Sequence, residues 1–259
     1  MSGRVALVTG ASSGIGEATA RALGMLGYPV ALAARRTDKL AAVAKAIEAA
    51  GGRAFAVSLD LSDLASIDAC FDAVERALGP VDVLVNNAGI CVPGLLHEVE
   101  PEALRSEIAV NLVGPALLTR RAIQSLLARG APGDLVFISS ENAVKPRPYQ
   151  PGYTASQWGV EGLARTLRVE LDGTGIRSTI VRPGPTFPTD FANGWDPALV
   201  RRLLETWQKL GIQRHLRWMP ADAVAQAVVA VVTAPRGTHF DVVALSPEAP
   251  PELRIEGGS

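Results

Sequence analysis

The chain reads as an α/β domain: a doubly wound parallel sheet of about seven strands with helices on both faces. Three observations carry that reading. Strand-like and helix-like segments alternate from one end of the 259 residues to the other. The strand segments are near-continuous apolar runs, as in strands buried on both faces. A glycine-rich turn follows the first strand and opens the first helix.

The elements follow in order. Val5 to Thr9 is a buried strand, and a helix runs from about Ile15 to Leu26. Val30 to Ala33 repeats the strand. Thr37 is placed to cap an alanine-rich helix that ends at Gly51-Gly52. Ala54 to Ser58 is the third strand, with Ser62 as cap of a helix from Asp63 to Leu78. Val81 to Asn86 and Leu135 to Ser139 are the fourth and fifth strands, Arg177 to Val181 the sixth and His239 to Ala244 the last. Long helices are expected over Pro101–Leu127 and Gly152–Leu171, and another over Pro220–Thr233. Right-handed crossovers then give a single Rossmann-like domain over residues 1–259. Residues at about 185–219 break the rhythm with Pro, Trp and Phe and read as a lid over a substrate pocket. The tail from Pro247 to Ser259 is expected to be loosely ordered.

Composition narrows the function. A formal net charge of -1 gives no field that would favour nucleic acid or an anionic membrane. The apolar stretch Ala221–Ala234 is too short to cross a bilayer. Cys70 and Cys91 are too few for a disulfide framework and fit a reduced, cytoplasmic setting. His97, His215 and His239 are scattered without a ligand pattern, so no metal is expected.

Gly10, Ser12, Ser13, Gly14, Ile15 and Gly16 lie in the turn after the first strand. Glycines there allow a tight turn and close backbone approach, and the helix start offers free N–H groups to a diphosphate. The end of the second strand selects the nucleotide: an acid takes a free ribose hydroxyl, a base takes a 2′-phosphate. Here stand Arg35 and Arg36, with no acid before Asp38, which favours NADP(H) over NAD(H). Asp60 and Leu61, after the third strand, either meet the adenine or serve only to start the next helix.

Further motifs make the chain resemble the short-chain dehydrogenase/reductase family over nearly its whole length. Asn86-Asn87-Ala88-Gly89 looks like that family's motif after the fourth strand. Ser140 and Tyr153 are thirteen residues apart, the family's spacing for its catalytic serine and tyrosine. Pro183-Gly184 follows the sixth strand, with Thr186 just beyond. The resemblance implies hydride transfer between nicotinamide and a carbonyl or alcohol carbon of a small molecule. It implies Tyr153 as general acid or base, Ser140 as the partner of the substrate oxygen, and Asn87, Ala88, Gly89, Pro183, Gly184 and Thr186 around the cofactor. Ser139 is the weaker serine, because alternation along the strand turns it to the other face. Asn111 matches the family's helix asparagine, and Pro115, four residues on, deprives its carbonyl of a helical partner. The resemblance further implies a homodimer or homotetramer through the two long helices.

The departure is Gln157, where the family has lysine. Glutamine has the donors and acceptor to hold ribose hydroxyls but no charge to lower the tyrosine pKa from about 10. The expectation is an enzyme biased toward carbonyl reduction, since a neutral tyrosine already has a proton to give. Lys145 is the one loop cation considered as a substitute. Two other readings stay open: a cofactor-binding sensor or scaffold with weakened catalysis, and isomerase-, dehydratase- or epimerase-like chemistry on the same fold. Phe187, Phe191, Trp195, Trp207, Trp218 and Met219, with Val92, Leu95, Leu96 and Tyr149, could line an apolar pocket for a lipophilic substrate. Arg201, Arg202, Lys209, Arg214 and Arg217 read as a solvated basic face.

Overall fold

A computed structural model describes residues 3–212 and 215–253. Its sheet has seven parallel strands: β1 Val5–Thr9, β2 Pro29–Ala34, β3 Arg53–Ser58, β4 Val81–Asn86, β5 Gly133–Ile138, β6 Ile176–Pro183 and β7 Val242–Leu245. Their spatial order is β3-β2-β1-β4-β5-β6-β7, so the winding reverses between β1 and β4. A crevice opens at the carboxyl ends of the strands at such a reversal. The glycine turn after β1 and the Asn86–Gly89 turn after β4 therefore lie side by side.

Strand alternation builds two cores. Val5 and Leu7 of β1 face α3 (Leu64–Leu78), α5 (Gly114–Ala128) and α6 (Pro151–Glu170). Ala6 and Val8 face α1 (Gly14–Met25), α2 (Thr37–Ala49) and α8 (Ala221–Thr233). Two capping expectations are corrected. Arg36, not Thr37, is the N-cap of α2, and Thr37 is its first helical residue. Asp63, not Ser62, caps α3 by accepting the Ala65 N–H; the Ser62 hydroxyl turns back to Asp60.

The expected helix over Pro101–Leu127 is not continuous. It runs as α4 (Pro101–Ile108), a π-helical turn over Ala109–Val113, and α5. Pro115 removes one helical donor, and the ladder widens where the Gly114 N–H reaches the Ala109 carbonyl. Between β6 and α8 lies a segment carrying one helix, α7 (Pro197–Lys209), docked through buried Leu203 and Trp207. Its basic residues Arg201, Arg202, Lys209 and Arg217 are exposed, as expected of a solvated face. Arg214 lies outside the described residues, as do residues 254–259 of the tail. No helix among the described residues is long and apolar enough to cross a membrane.

Candidate active site

The end of the crevice expected to take the phosphates is built on Thr9. Its hydroxyl accepts the N–H groups of Asn87 and Ala88 at 2.9 and 3.0 Å and donates to the Val85 carbonyl. Asn87 returns a bond from Nδ2 to the Thr9 carbonyl at 2.9 Å, so the two turns brace each other. Gly10 has φ +66°, and a Cβ at Gly16 would collide with the Gly10 carbonyl. Only glycine meets both demands. Ser13 is the N-cap of α1, yet its side chain makes no cap hydrogen bond. Ile15 is partly buried against the core beside α8.

Both strand-end arginines are exposed, and Arg36 is the one that reaches the two serines of the glycine turn. Its Nε and Nη2 donate to Ser12 Oγ at 3.2 and 2.7 Å, and Nη2 to Ser13 Oγ at 2.9 Å. Arg35 is exposed, and its charge acts on Asp60. Asp60 Oδ1 accepts the Ser62 N–H and hydroxyl, which lower its pKa; it thus organises the start of α3. Leu61 is buried, with its carbonyl against Gly114. Asp190, not foreseen as a site residue, accepts from Arg36 Nη1 at 2.5 Å and from Lys39 at 3.0 Å. These cations hold its carboxyl down at about 2. Thr189 lies against Gly14, and a cleft of about 370 Å³ separates residues 188–190 from α1 and α2.

At the other end, Ser140 caps a short 3-10 turn by accepting the Asn142 N–H, and its hydroxyl is hydrogen-bonded to the Tyr153 phenol. Ser139 points elsewhere, donating to Glu161 at 2.8 Å, as strand alternation requires. Burial pushes the Tyr153 phenol well above its ordinary range, and the Ser140 bond opposes this only in part. The cation within reach is Arg147, the weakest influence on that phenol. Arg147 is itself paired with Glu141 and lies 4.9 Å from the Trp207 ring. Lys145, the sequence's candidate, is exposed.

Asn111 is buried and ties the two halves of this end together. Its Nδ2 donates to the Ile90 carbonyl at 2.8 Å and to Ser156 Oγ at 3.1 Å, while Oδ1 accepts the Ile90 N–H. Ser156 in turn donates to the Tyr153 carbonyl at 2.8 Å. Gly89 borders Asn111 Oδ1. Gln157 is also buried, and its Oε1 has no hydrogen-bond partner. An orphaned acceptor is costly unless something donates to it. Pro183 ends β6, the Gly184 N–H donates to the Leu245 carbonyl at 2.8 Å, and the Thr186 hydroxyl donates to the Gly184 carbonyl at 3.0 Å.

The expected aromatic pocket divides. Phe191 meets the Tyr153 ring edge-on at 5.0 Å, Trp195 lies 5.8 Å beyond, and its indole donates to the Cys91 carbonyl. Trp207 is buried and donates to the Pro148 carbonyl; Met219 joins the core. Phe187, Trp218 and Leu96 are exposed. Tyr149, at φ 68° in the turn before α6, lies under Arg202. Glu107 was also missed, although its spacing of four from Asn111 puts both on one helical face. No group of three metal-ligating side chains occurs among the described residues.

A parallel sheet with a glycine turn at its switch point, facing a serine–tyrosine pair, defines a nicotinamide-nucleotide oxidoreductase site. The family model described as short chain dehydrogenase matches residues 4–199, and the chain belongs to that family of NAD(P)-dependent enzymes. It is similar to the 2,3-dihydro-2,3-dihydroxybenzoate dehydrogenase of Bacillus subtilis (strain 168), 34% identical over 91% of this chain and 91% of that protein. A metagenomic short-chain oxidoreductase solved in complex with NADP is 35% identical, with a TM-score of 0.79 over 96% of this chain and 99% of the other. A variant of actinorhodin polyketide ketoreductase solved with NADPH is 29% identical, with a TM-score of 0.82 over 94% and 96% of the two chains.

Proposed function

We propose that this enzyme binds NADP(H) in preference to NAD(H) and works chiefly as a reductase of lipophilic carbonyl compounds. The cofactor supplies the hydride. The residues fit it: Arg36, Ser12 and Ser13 converge where a 2′-phosphate would be received, and the Gln157 acceptor lacks the donor that a ribose hydroxyl could provide. Asp190 now occupies Arg36 and Lys39, so a 2′-phosphate would exchange one anion for another there. The relatives solved with NADP and NADPH support this reading of the nucleotide.

On the protein side, Tyr153 gives its proton to the carbonyl oxygen while Ser140 holds that oxygen near the phenol. Asn111, through Ser156, fixes the backbone of Tyr153. Phe191 and Trp195 form an apolar lid over the tyrosine, the feature that supports a lipophilic substrate. The observation that carries the reductive bias is a phenol whose pKa is raised by desolvation, one helical turn from a buried and neutral Gln157. Such a phenol keeps its proton at neutral pH. It holds the proton that reduction needs and has no free phenolate to accept one from an alcohol.

The test is spectrophotometric turnover of graded ketones with NADPH and with NADH. NADPH is expected to be the better cofactor. Arg36→Ala should weaken NADPH by about 10- to 100-fold, the loss of a charge-assisted contact worth roughly 1.5–3 kcal/mol, and leave NADH nearly unchanged. Equal use of both cofactors by the unmodified enzyme would sink the preference. Binding without turnover of any ketone would favour a sensor role instead.

A second measurement addresses Gln157. Gln157→Lys restores a cation under the phenol, and alcohol oxidation at neutral pH should rise by about tenfold for each pKa unit recovered. An unchanged oxidation rate with an ordered lysine would mean that charge is not the limitation.

A further inference from the structure

Glu107 is a buried acid beside the catalytic end that the preceding reading does not use. It is 1% exposed, on the last turn of α4 and one turn ahead of Asn111. One carboxylate oxygen, Oε1, accepts the Val92 N–H at 3.2 Å, and the Cys91 thiol donates to the carboxylate. The other, Oε2, lies against Gly152, where any Cβ would collide with it. The residue immediately before Tyr153 is therefore shaped around this carboxyl. No cation pairs with Glu107 among the described residues: Arg147 is engaged by Glu141, and Arg182 by Glu161. A lone carboxylate in such a place is expensive, whereas its acid form is not.

We propose that Glu107 is a positioning residue for Tyr153: as an uncharged acid it wedges the Cys91–Val92 turn against the first turn of α6, and once ionised its charge opposes the phenolate. The proposal rests on the reading of Tyr153 as proton donor. The groups facing Glu107 are few. Cys91 comes from the turn after β4 and Tyr153 from α6, and Asn111 and Gln150 nearby are neutral. Arg147 brings its charge to Tyr153 from the loop before α6, and Trp195 of the lid brings none. Only the proton of Glu107 moves, and it goes to solvent. The chain thus has a neutral glutamine where the resemblance implies a cation, and an ionisable acid near the same phenol.

Burial raises the Glu107 carboxyl to about 7. The sign follows by linkage: between its ordinary value of 4.5 and about 7 the folded chain holds a proton that the unfolded chain has released. Stability therefore falls as pH rises through that window and the fall stops above it. Glu107→Gln keeps the shape and cannot ionise.

The experiment compares the unmodified enzyme with Glu107→Gln in two series from about pH 4.5 to about pH 9, a span that brackets the shifted carboxyl. The first is urea denaturation. The second is kcat and KM for ketone reduction with NADPH. The unmodified enzyme should lose stability across the window and show a fall in kcat near pH 7, with KM steady; the variant should show neither. The same kcat inflection in Glu107→Gln overturns the proposal, as does an unaltered stability slope. If neither protein turns over any ketone, the reading of Tyr153 fails on its own, and two further readouts judge Glu107. One is the urea series. The other is the ultraviolet titration of Tyr153, measured as a difference from Tyr153→Phe, which should move to lower pH in Glu107→Gln. Should the glutamine variant not fold, the infrared spectrum of the unmodified protein decides. A protonated-carboxyl band that disappears near pH 7 upholds the proposal, and its absence overturns it.

Discussion

Tyr153→Phe is expected to slow ketone reduction by about 10²- to 10⁴-fold, the span that a positioned general acid contributes. The change removes one oxygen and little else. The ring keeps its edge-on contact with Phe191, and Ser140 still accepts the Asn142 N–H. The fold and the nucleotide seat should therefore survive, so NADPH affinity, read by fluorescence quenching, should move less than about twofold. The loss should appear in kcat, because the proton is delivered in the transition state. A phenylalanine variant that retained full kcat would transfer the proton to another donor, and Ser140 is the hydroxyl bonded to that phenol. In the unmodified enzyme the raised phenol should keep its proton through neutral pH, with no rise in alcohol oxidation until well above it.

Asp134→Ala is expected to cost roughly 3–5 kcal/mol of stability, the usual result of removing one partner of a buried ion pair. Asp134 is fully buried at the amino end of β5. It accepts from Arg177 Nε at 2.6 Å and is paired with Arg4, while Arg236 stands at 4.0 Å. Without the carboxylate, the buried Arg177 keeps its bonds to the Ala234 and Thr238 carbonyls but loses its ion-pair partner. Urea denaturation reads the loss. Because this cluster lies at the opposite end of the sheet from Ser140 and Tyr153, kcat at low temperature should be nearly unchanged. A variant as stable as the parent, or one that is stable but inactive, would contradict that separation of fold from site.

These two residues differ in how far the sequence revealed them. Tyr153 was legible because its distance of thirteen residues from Ser140 resembles the spacing used in the short-chain dehydrogenase family, and spacing is a property of the chain. Asp134 was not singled out, because an isolated acid in a strand says nothing about which arginines, 43 and 130 residues away, will fold against it. The glycine turn was legible for a similar local reason: φ and close approach restrict Gly10 and Gly16 whatever surrounds them. The pair Arg35 and Arg36 was legible only as a pair. The fold chose Arg36, since α2 begins there and directs its side chain over Ser12 and Ser13.

Helix boundaries followed the same division. Pro115 announced trouble in a long helix, and its missing N–H did break the ladder, but the π turn that resulted reflects how α4 and α5 pack on α6 and α3. In the sequence Trp207 and Met219 stand open between pocket wall and packing, because aromatic and apolar residues fit a core and a binding site equally well; burial sent them to the core and left Phe191 over the tyrosine.

By itself, then, the sequence determined the alternation of strands and helices and the glycine turn, through periodicity and local spacing, while the serine–tyrosine pair and the neutral residue at position 157 stood out through the resemblance to the family. Only the tertiary structure decided that Asp190 meets Arg36, that Arg147 rather than Lys145 is the cation felt by Tyr153, and that Glu107 lies against Gly152. Those contacts join segments distant along the chain, and their electrostatic consequences arise from burial, which no short stretch of residues specifies.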